Sequence, residues 1–212
     1  MNTLTELSRK YENNIVARAI VNAIPYIGGS LDIALTDRWN KYCQERLGDF
    51  LHKLSNELEE IDEKKLNKDF INSEGFFDIV CNIVKDVITS RLEEKRIIYV
   101  KMLKEALEQE QNISDLESLI GQIEDLKEKD IIFLRYIQGF ADEPDKVITG
   151  ENMFMFIADP INFDIEEVTR MLFRFAYLGL LDYAMNTLTL RKKIKFTTTR
   201  LFGKLSQYME DK

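Results

Sequence analysis

Apolar side chains recur at spacings of three and four over most of the chain, the period of a helix with one buried face, and alternate singly in only one place. The opening "LTELSRKYENNIVARAIVNAI" keeps the helical spacing up to Pro25, which drives the residue before it out of helical backbone and so ends the helix. Gly28 and Gly29 then permit a tight corner, and Ser30 has the side chain of an N-cap. Beyond it Leu31, Leu35, Trp39, Tyr42, Leu47, Phe50, Leu54, Leu58 and Ile61 make one stripe, which predicts a single long helix.

The acidic, lysine-bearing "EEIDEKKLNKD" reads as a connector. After it, "SEGFFDIVCNIVKDVITSRLEEKRIIYVKMLKEALEQE" predicts a second long helix, packed antiparallel on the first. Its apolar side carries Phe76, Val80, Ile83, Val84, Val87, Met102, Leu103 and Ala106. In "SDLE", Ser114 and Glu117 have capping-box spacing and open a further helix, "LESLIGQIEDL". Residues 1–126 therefore read as an all-helical scaffold domain.

From Lys127 the elements shorten. "KEKDIIFLRYIQGF" predicts a helix, "ADEPDKVITG" a loop, "ENMFMFIA" a second helix, and "DIEEVTRMLFRFAYLGLL" a third, capped by Asp164 and ended by Gly179. Lys193, Ile194, Lys195 and Phe196 supply the single alternating run, a strand signature, and "TRLFGKLSQYMED" closes with a helix. Three helices, a β-hairpin and a closing helix resemble a winged-helix domain over residues 127–212. The phrase "FTTTRLFGKL" is similar to the threonine, glycine and apolar ending of many bacterial winged helices. The expected fold is mainly α: long antiparallel helices, then a winged-helix-like α+β module with a small hairpin.

A second resemblance rests on "AIPYIGG" and on "EEKR", Glu93 to Arg96. These segments resemble motifs of uncharacterised bacterial proteins, some of which look like abortive-infection or phage-defence components. The resemblance implies a biological setting and names no active site.

Composition narrows the classes. With 45% apolar residues and 10% aromatics in 212 residues, the chain can build a sizeable core. The net charge of −8 works against a general nucleic-acid binder, since the average surface repels phosphate. Cys43 and Cys81 stand alone in helical patterns, and the first residues lack a basic segment followed by an apolar stretch and a cleavage site, so a reducing, cytoplasmic location is expected. No membrane span is expected either, because Arg18, Asn22 and Asp32 interrupt the apolar stretch around the Gly-Gly corner, where about 20 apolar residues are needed. The corner is expected to be structural.

Candidate chemistry is sparse. His52 is the sole histidine and falls on the polar side of its helix, and no phosphate-cradling glycine motif occurs. Glu57, Glu59, Glu60, Asp62 and Glu63 form the densest acidic run and, like "RLEEKR" with Arg91 pairing to Glu93 or Glu94, read as solvated charge. Catalytic, cofactor-binding and metal residues are therefore expected to be absent, and the protein is not expected to be an enzyme.

Charge is unevenly shared. Met1 to Leu126 holds 16 Lys/Arg against 24 Asp/Glu, whereas Lys127 to Lys212 holds 13 of each. Within Thr187 to Ser206 stand Arg191, Lys192, Lys193, Lys195, Arg200 and Lys204 and no acid. On the third helix of this module Arg170 and Arg174 are one turn apart, yet Asp164, Glu166 and Glu167 crowd its first turn, facing phosphates if that tip entered a groove. The reading that follows is a non-enzymatic interaction or regulatory protein with a protein partner or a second copy. The alternative is a nucleic-acid-binding regulator acting through those eight cations.

Overall fold

The computed structural model describes residues 37–59, 66–108, 112–141, 147–157, 163–183 and 193–210. The fold is mainly helical with a small two-stranded antiparallel sheet, and it divides into two compact units, Met1–Glu124 and Asp125–Lys212, close to the change of pattern at Lys127. The Pro25 to Ser30 corner, with the expected cap at Ser30, lies outside the described residues, as do Leu31, Leu35 and Ile61 of the first stripe.

In the first unit α1 (Asp37–Glu59) buries Leu47, Phe50, Leu51, Leu54 and Leu58, while Tyr42 of the expected stripe is exposed. The described end of the expected connector, whose residues 60–65 lie outside the described residues, runs into a helical turn, α2 (Lys68–Ile71): the Asn67 side chain accepts from Phe70 N, and Asn67 N donates to the Leu107 carbonyl at 2.9 Å. The expected second long helix is in fact two, α3 (Glu74–Thr89) and α4 (Glu93–Glu108). Ser90 adopts extended backbone with ψ 138°, and its hydroxyl accepts from Leu92 N at 3.2 Å. Side chains such as Ser90 and Thr89 compete with the helix for backbone partners, and Thr89 Oγ1 already donates to the Lys85 carbonyl at 2.8 Å. Glu93 and Glu94 then occupy the first turn of α4, where acids suit the helix dipole.

All eight apolar positions predicted for this region are buried, because the helical period holds on each side of the break. The break lets Asp86 of α3 meet Lys95 and Tyr99 of α4. Helix α1 packs on both; the expected antiparallel packing is corrected for α4, which runs in the same direction as α1, as Asp49 with Arg96 and Glu57 with Lys104 indicate, because the break at Ser90 reverses the chain between α3 and α4. A fifth helix, α5 (Ile113–Asp125), follows. The expected capping box is corrected here: Asn112, not Ser114, caps it, its side chain accepting from Ser114 N at 3.0 Å.

The second unit is built on α6 (Glu128–Ala141), α7 (Gly150–Phe156), α8 (Ile165–Tyr177), β1 (Leu181–Tyr183), β2 (Phe196–Thr198) and α9 (Arg200–Met209). Phe133 of α6 centres its core, its ring 5.6 Å from that of Phe163 and 5.8 Å from that of Phe175. Asp164 and Gly179 bound α8 as expected. The Asp164 carboxylate accepts from Glu167 N at 2.7 Å. Gly179, at φ 73°, donates to the Ala176 carbonyl while Leu180 N donates to that of Phe175, the Schellman closure. Strands β1 and β2 pair with Leu181 opposite Thr198 and Tyr183 opposite Phe196, and Phe196 also bridges to Ile148, inside the segment expected to be only a loop. The expected alternation holds: Ile194 and Phe196 are buried, Lys193 and Lys195 exposed, although the paired strand itself begins at Phe196. Among the described residues no helix is long and apolar enough to cross a membrane.

Candidate functional site

The cations singled out by sequence are distributed over α8, the segment leading into β2, and α9 where they are described, and they are used unequally. Arg170 is exposed on α8, and Lys193 and Lys195 are exposed beside β2. Arg174 is engaged within its unit: one terminal nitrogen donates to the Asp125 carbonyl at 2.7 Å and to the buried Asp130 carboxylate at 3.1 Å. Asp130 in turn accepts from Lys127 N at 2.9 Å, the backward half of a capping box on α6. Arg200 and Lys204 lie one turn apart on α9, Arg200 exposed and Lys204 half-buried. Arg191 and Lys192 lie outside the described residues.

The acids of α8 are also used unequally. Glu167 pairs with Lys129 at 2.6 Å, and that ammonium sits 4.8 Å above the centre of the Phe163 ring. Asp164 is spent on the helix cap, so Glu166 is the acid of this first turn that faces solvent without a structural bond of this kind. Near the other end Tyr177 is 90% exposed, although the Gly179 turn after it is tightly hydrogen-bonded. Phe173, half-buried between them, sets its ring edge-on to Tyr183 and Phe196 at 5.3 and 5.2 Å.

The first unit holds a charged cluster that the sequence reading took for solvated surface. Lys95 is 3% exposed and Arg96 9%. The Lys95 ammonium donates to the Glu124 carbonyl at 2.8 Å, near the end of α5 where the helix dipole favours a cation, and lies 3.3 Å from Asp86 Oδ2. That oxygen also accepts from the Tyr99 hydroxyl at 2.9 Å. Burial pushes the Tyr99 phenol far above its ordinary range, and the neighbouring Asp86 carboxylate adds to it, so Tyr99 stays a donor. Arg96 Nε donates to Asp49 at 2.7 Å, and Lys53 bridges Asp49 and Glu93. Burial works to raise the Asp49 pKa, but hydrogen bonds from Lys53 and Arg96 outweigh it and hold the carboxyl below its ordinary value.

The expectation of solvated charge is thereby corrected at two acids. Glu93 pairs with Lys53 rather than Arg91, and Glu57 pairs with Lys104 at 2.6 Å across two helices. The missed signal is the position of Lys95 and Arg96: both directly precede the apolar "IIYV" of α4, so their stems are drawn inward with the core.

His52 is exposed as expected, 3.5 Å from the Asn56 side chain. Burial raises the thiol pKa of Cys43, with Arg46 opposing, and of Cys81, with Asp78 adding to it, which disfavours the nucleophilic thiolate in both. Among the described residues no three His, Cys, Asp or Glu side chains are grouped to hold a metal ion. No family, curated protein or solved structure matches the chain.

Proposed function

We propose that the protein is a non-enzymatic interaction or regulatory protein whose second unit presents the outer face of α8 to a protein partner. The observation that carries this reading is the engagement of Arg174: of the two helix arginines a groove-reading helix would use, one is tied to Asp125 and Asp130. The remaining surface pairs Arg170 with exposed Glu166 and with Tyr177, an aromatic and arginine composition typical of protein interfaces.

The winged-helix reading of this unit is supported by its order of helix, bridging residue, helix, capped helix, hairpin and helix. The free thiols of Cys43 and Cys81 support a reducing, cytoplasmic location, and the phage-defence setting rests on the "AIPYIGG" and "EEKR" resemblance. The exposed Lys193 and Lys195 favour nucleic acid as the second reading.

A photo-crosslinking amino acid placed at position 177 of the full chain in cells tests it, with the exposed position 85 as control. Protein adducts specific to position 177 are expected. Adducts to nucleic acid alone, or the same products from both positions, overturn the proposal.

A further inference from the structure

Glu166, Arg170, Phe173 and Tyr177 stand at i, i+4, i+7 and i+11 of α8, so they share one face of the helix along about 16 Å of its axis. The line is open to solvent: Glu166 and Arg170 are exposed, Phe173 is half-buried and Tyr177 is 90% exposed. From the N-terminal end its order is anion, cation, ring, phenol. Under a two-fold axis that order complements itself. Glu166 of one copy comes opposite Tyr177 of the other and Arg170 opposite Phe173, and each pair occurs twice. Tyr177 hydroxyl to Glu166 carboxylate is a charge-assisted hydrogen bond, and Arg170 over Phe173 is a cation–π contact.

We propose that the protein self-associates as a two-fold dimer through antiparallel α8 helices, the occupant of this face being a second copy of the chain. This inference rests on the reading of the second unit as a protein-contact module. Charge selects the occupant: one anion and one cation balance along the line, whereas a polyanion such as nucleic acid needs a cation excess there. One helix face falls short of the roughly 800 Å² per partner of a standard interface, so the dimer is weak, with a dissociation constant on the order of micromolar or above.

Sedimentation equilibrium of the full chain from about 5 to 500 µM tests it. A concentration-dependent monomer–dimer equilibrium is expected. Tyr177→Phe and Glu166→Gln each weaken it by about three- to tenfold, and the double variant is hardly weaker than either, because both remove the same bond. Arg170→Ala also weakens it, with unchanged thermal unfolding showing that the variants fold. A monomer throughout the range, or a dimer that none of these variants weakens, overturns the proposal. Should position 177 still crosslink to another protein while the chain stays monomeric, only self-association falls; adducts to nucleic acid alone defeat both readings.

Discussion

The two units spend their cations in opposite ways. The first, with an excess of acids, draws Lys95, Arg96 and Lys53 inward to carboxylates and a helix-end carbonyl. The second, with nearly as many cations as acids, turns Arg174 inward and leaves Arg170, Lys193 and Lys195 at the surface. Net charge alone points to neither arrangement. What separates them is the packing: Lys95, Arg96 and Arg174 each meet a carboxylate brought close by another helix, whereas Arg170, Lys193 and Lys195 stand at outward positions of α8 and the hairpin.

The largest expected effect breaks the inward half of that contrast. Asp86→Ala leaves the buried Lys95 ammonium and the Tyr99 hydroxyl without their shared acceptor, and with side-chain exposures of 4% and 11% the pair has little water to fall back on. Removing one partner of a buried pair costs about 3–5 kcal/mol, so urea unfolding should show a loss of that order. The double replacement Asp86→Leu with Lys95→Met should recover most of it, since no buried charge is then stranded. An Asp86→Ala protein as stable as its parent would show that Lys95 reaches water and that the two units are alike.

Next in size is the turn after α8. Gly179 holds φ 73°, where a Cβ crowds the carbonyl, and its N–H and that of Leu180 close the helix end. Gly179→Ala is expected to cost about 1–2 kcal/mol by thermal or chemical unfolding. The cap of α9 follows: Thr199 Oγ1 accepts from Phe202 N at 3.2 Å and donates to the Gly179 carbonyl at 2.8 Å, so Thr199→Ala should cost about 1 kcal/mol.

Much of this fold is legible in the sequence where a local rule acts alone. Asp164 and Gly179 bound α8 by cap chemistry, and the Ile194/Phe196 alternation marks the hairpin, because these need only neighbouring residues. The break between α3 and α4 is not legible from periodicity, since the apolar residues keep helical spacing on both sides and the pause at Ser90 shows only as a weak helix former. The Lys95–Asp86 and Arg96–Asp49 pairs escape because they join positions brought together by that break and by the packing of α1. On the candidate surface, sequence finds Arg170 and Arg174 but cannot separate them, as the partners of Arg174 at Asp125 and Asp130 lie far along the chain.

A smaller effect should appear as pH dependence. The Asp49 carboxyl titrates below its ordinary value of 3.8 despite burial, so it contributes stability that is present above that value and is lost as the pH falls through its folded pKa. Lys53 has the opposite sign: burial lowers its pKa, but the hydrogen bonds it donates to Asp49 and Glu93 raise it above 10.5 overall, so its contribution is present below 10.5 and is lost as the pH rises through the folded value. Asp49 is 35% exposed, so solvent screening keeps the acid effect modest. Asp49→Asn should remove part of the fall in melting temperature below pH 3.8 and leave the alkaline side to Lys53 and Glu93. An unchanged acid profile would mean that the Arg96 and Lys53 bonds to Asp49 add nothing in solution.

The smallest expected effect is the one that sharpens the comparison most. Lys193 and Lys195 point away from the core on the same side of the chain as Thr197, while Ile194 and Phe196 between them are buried. Removing an exposed lysine from such a position changes stability by less than about 0.5 kcal/mol, so Lys193→Ala and Lys195→Ala should unfold in urea with the parent's midpoint. Lys95→Ala, the same substitution in the first unit, strands Asp86 and frees the Glu124 carbonyl, and should be destabilised by several times as much. A hairpin variant that unfolds as early as Lys95→Ala would mean that Lys193 or Lys195 holds a structural bond. The outward basic face would then be part of the fold, and the contrast between the two units would reduce to the single exposed arginine of α8.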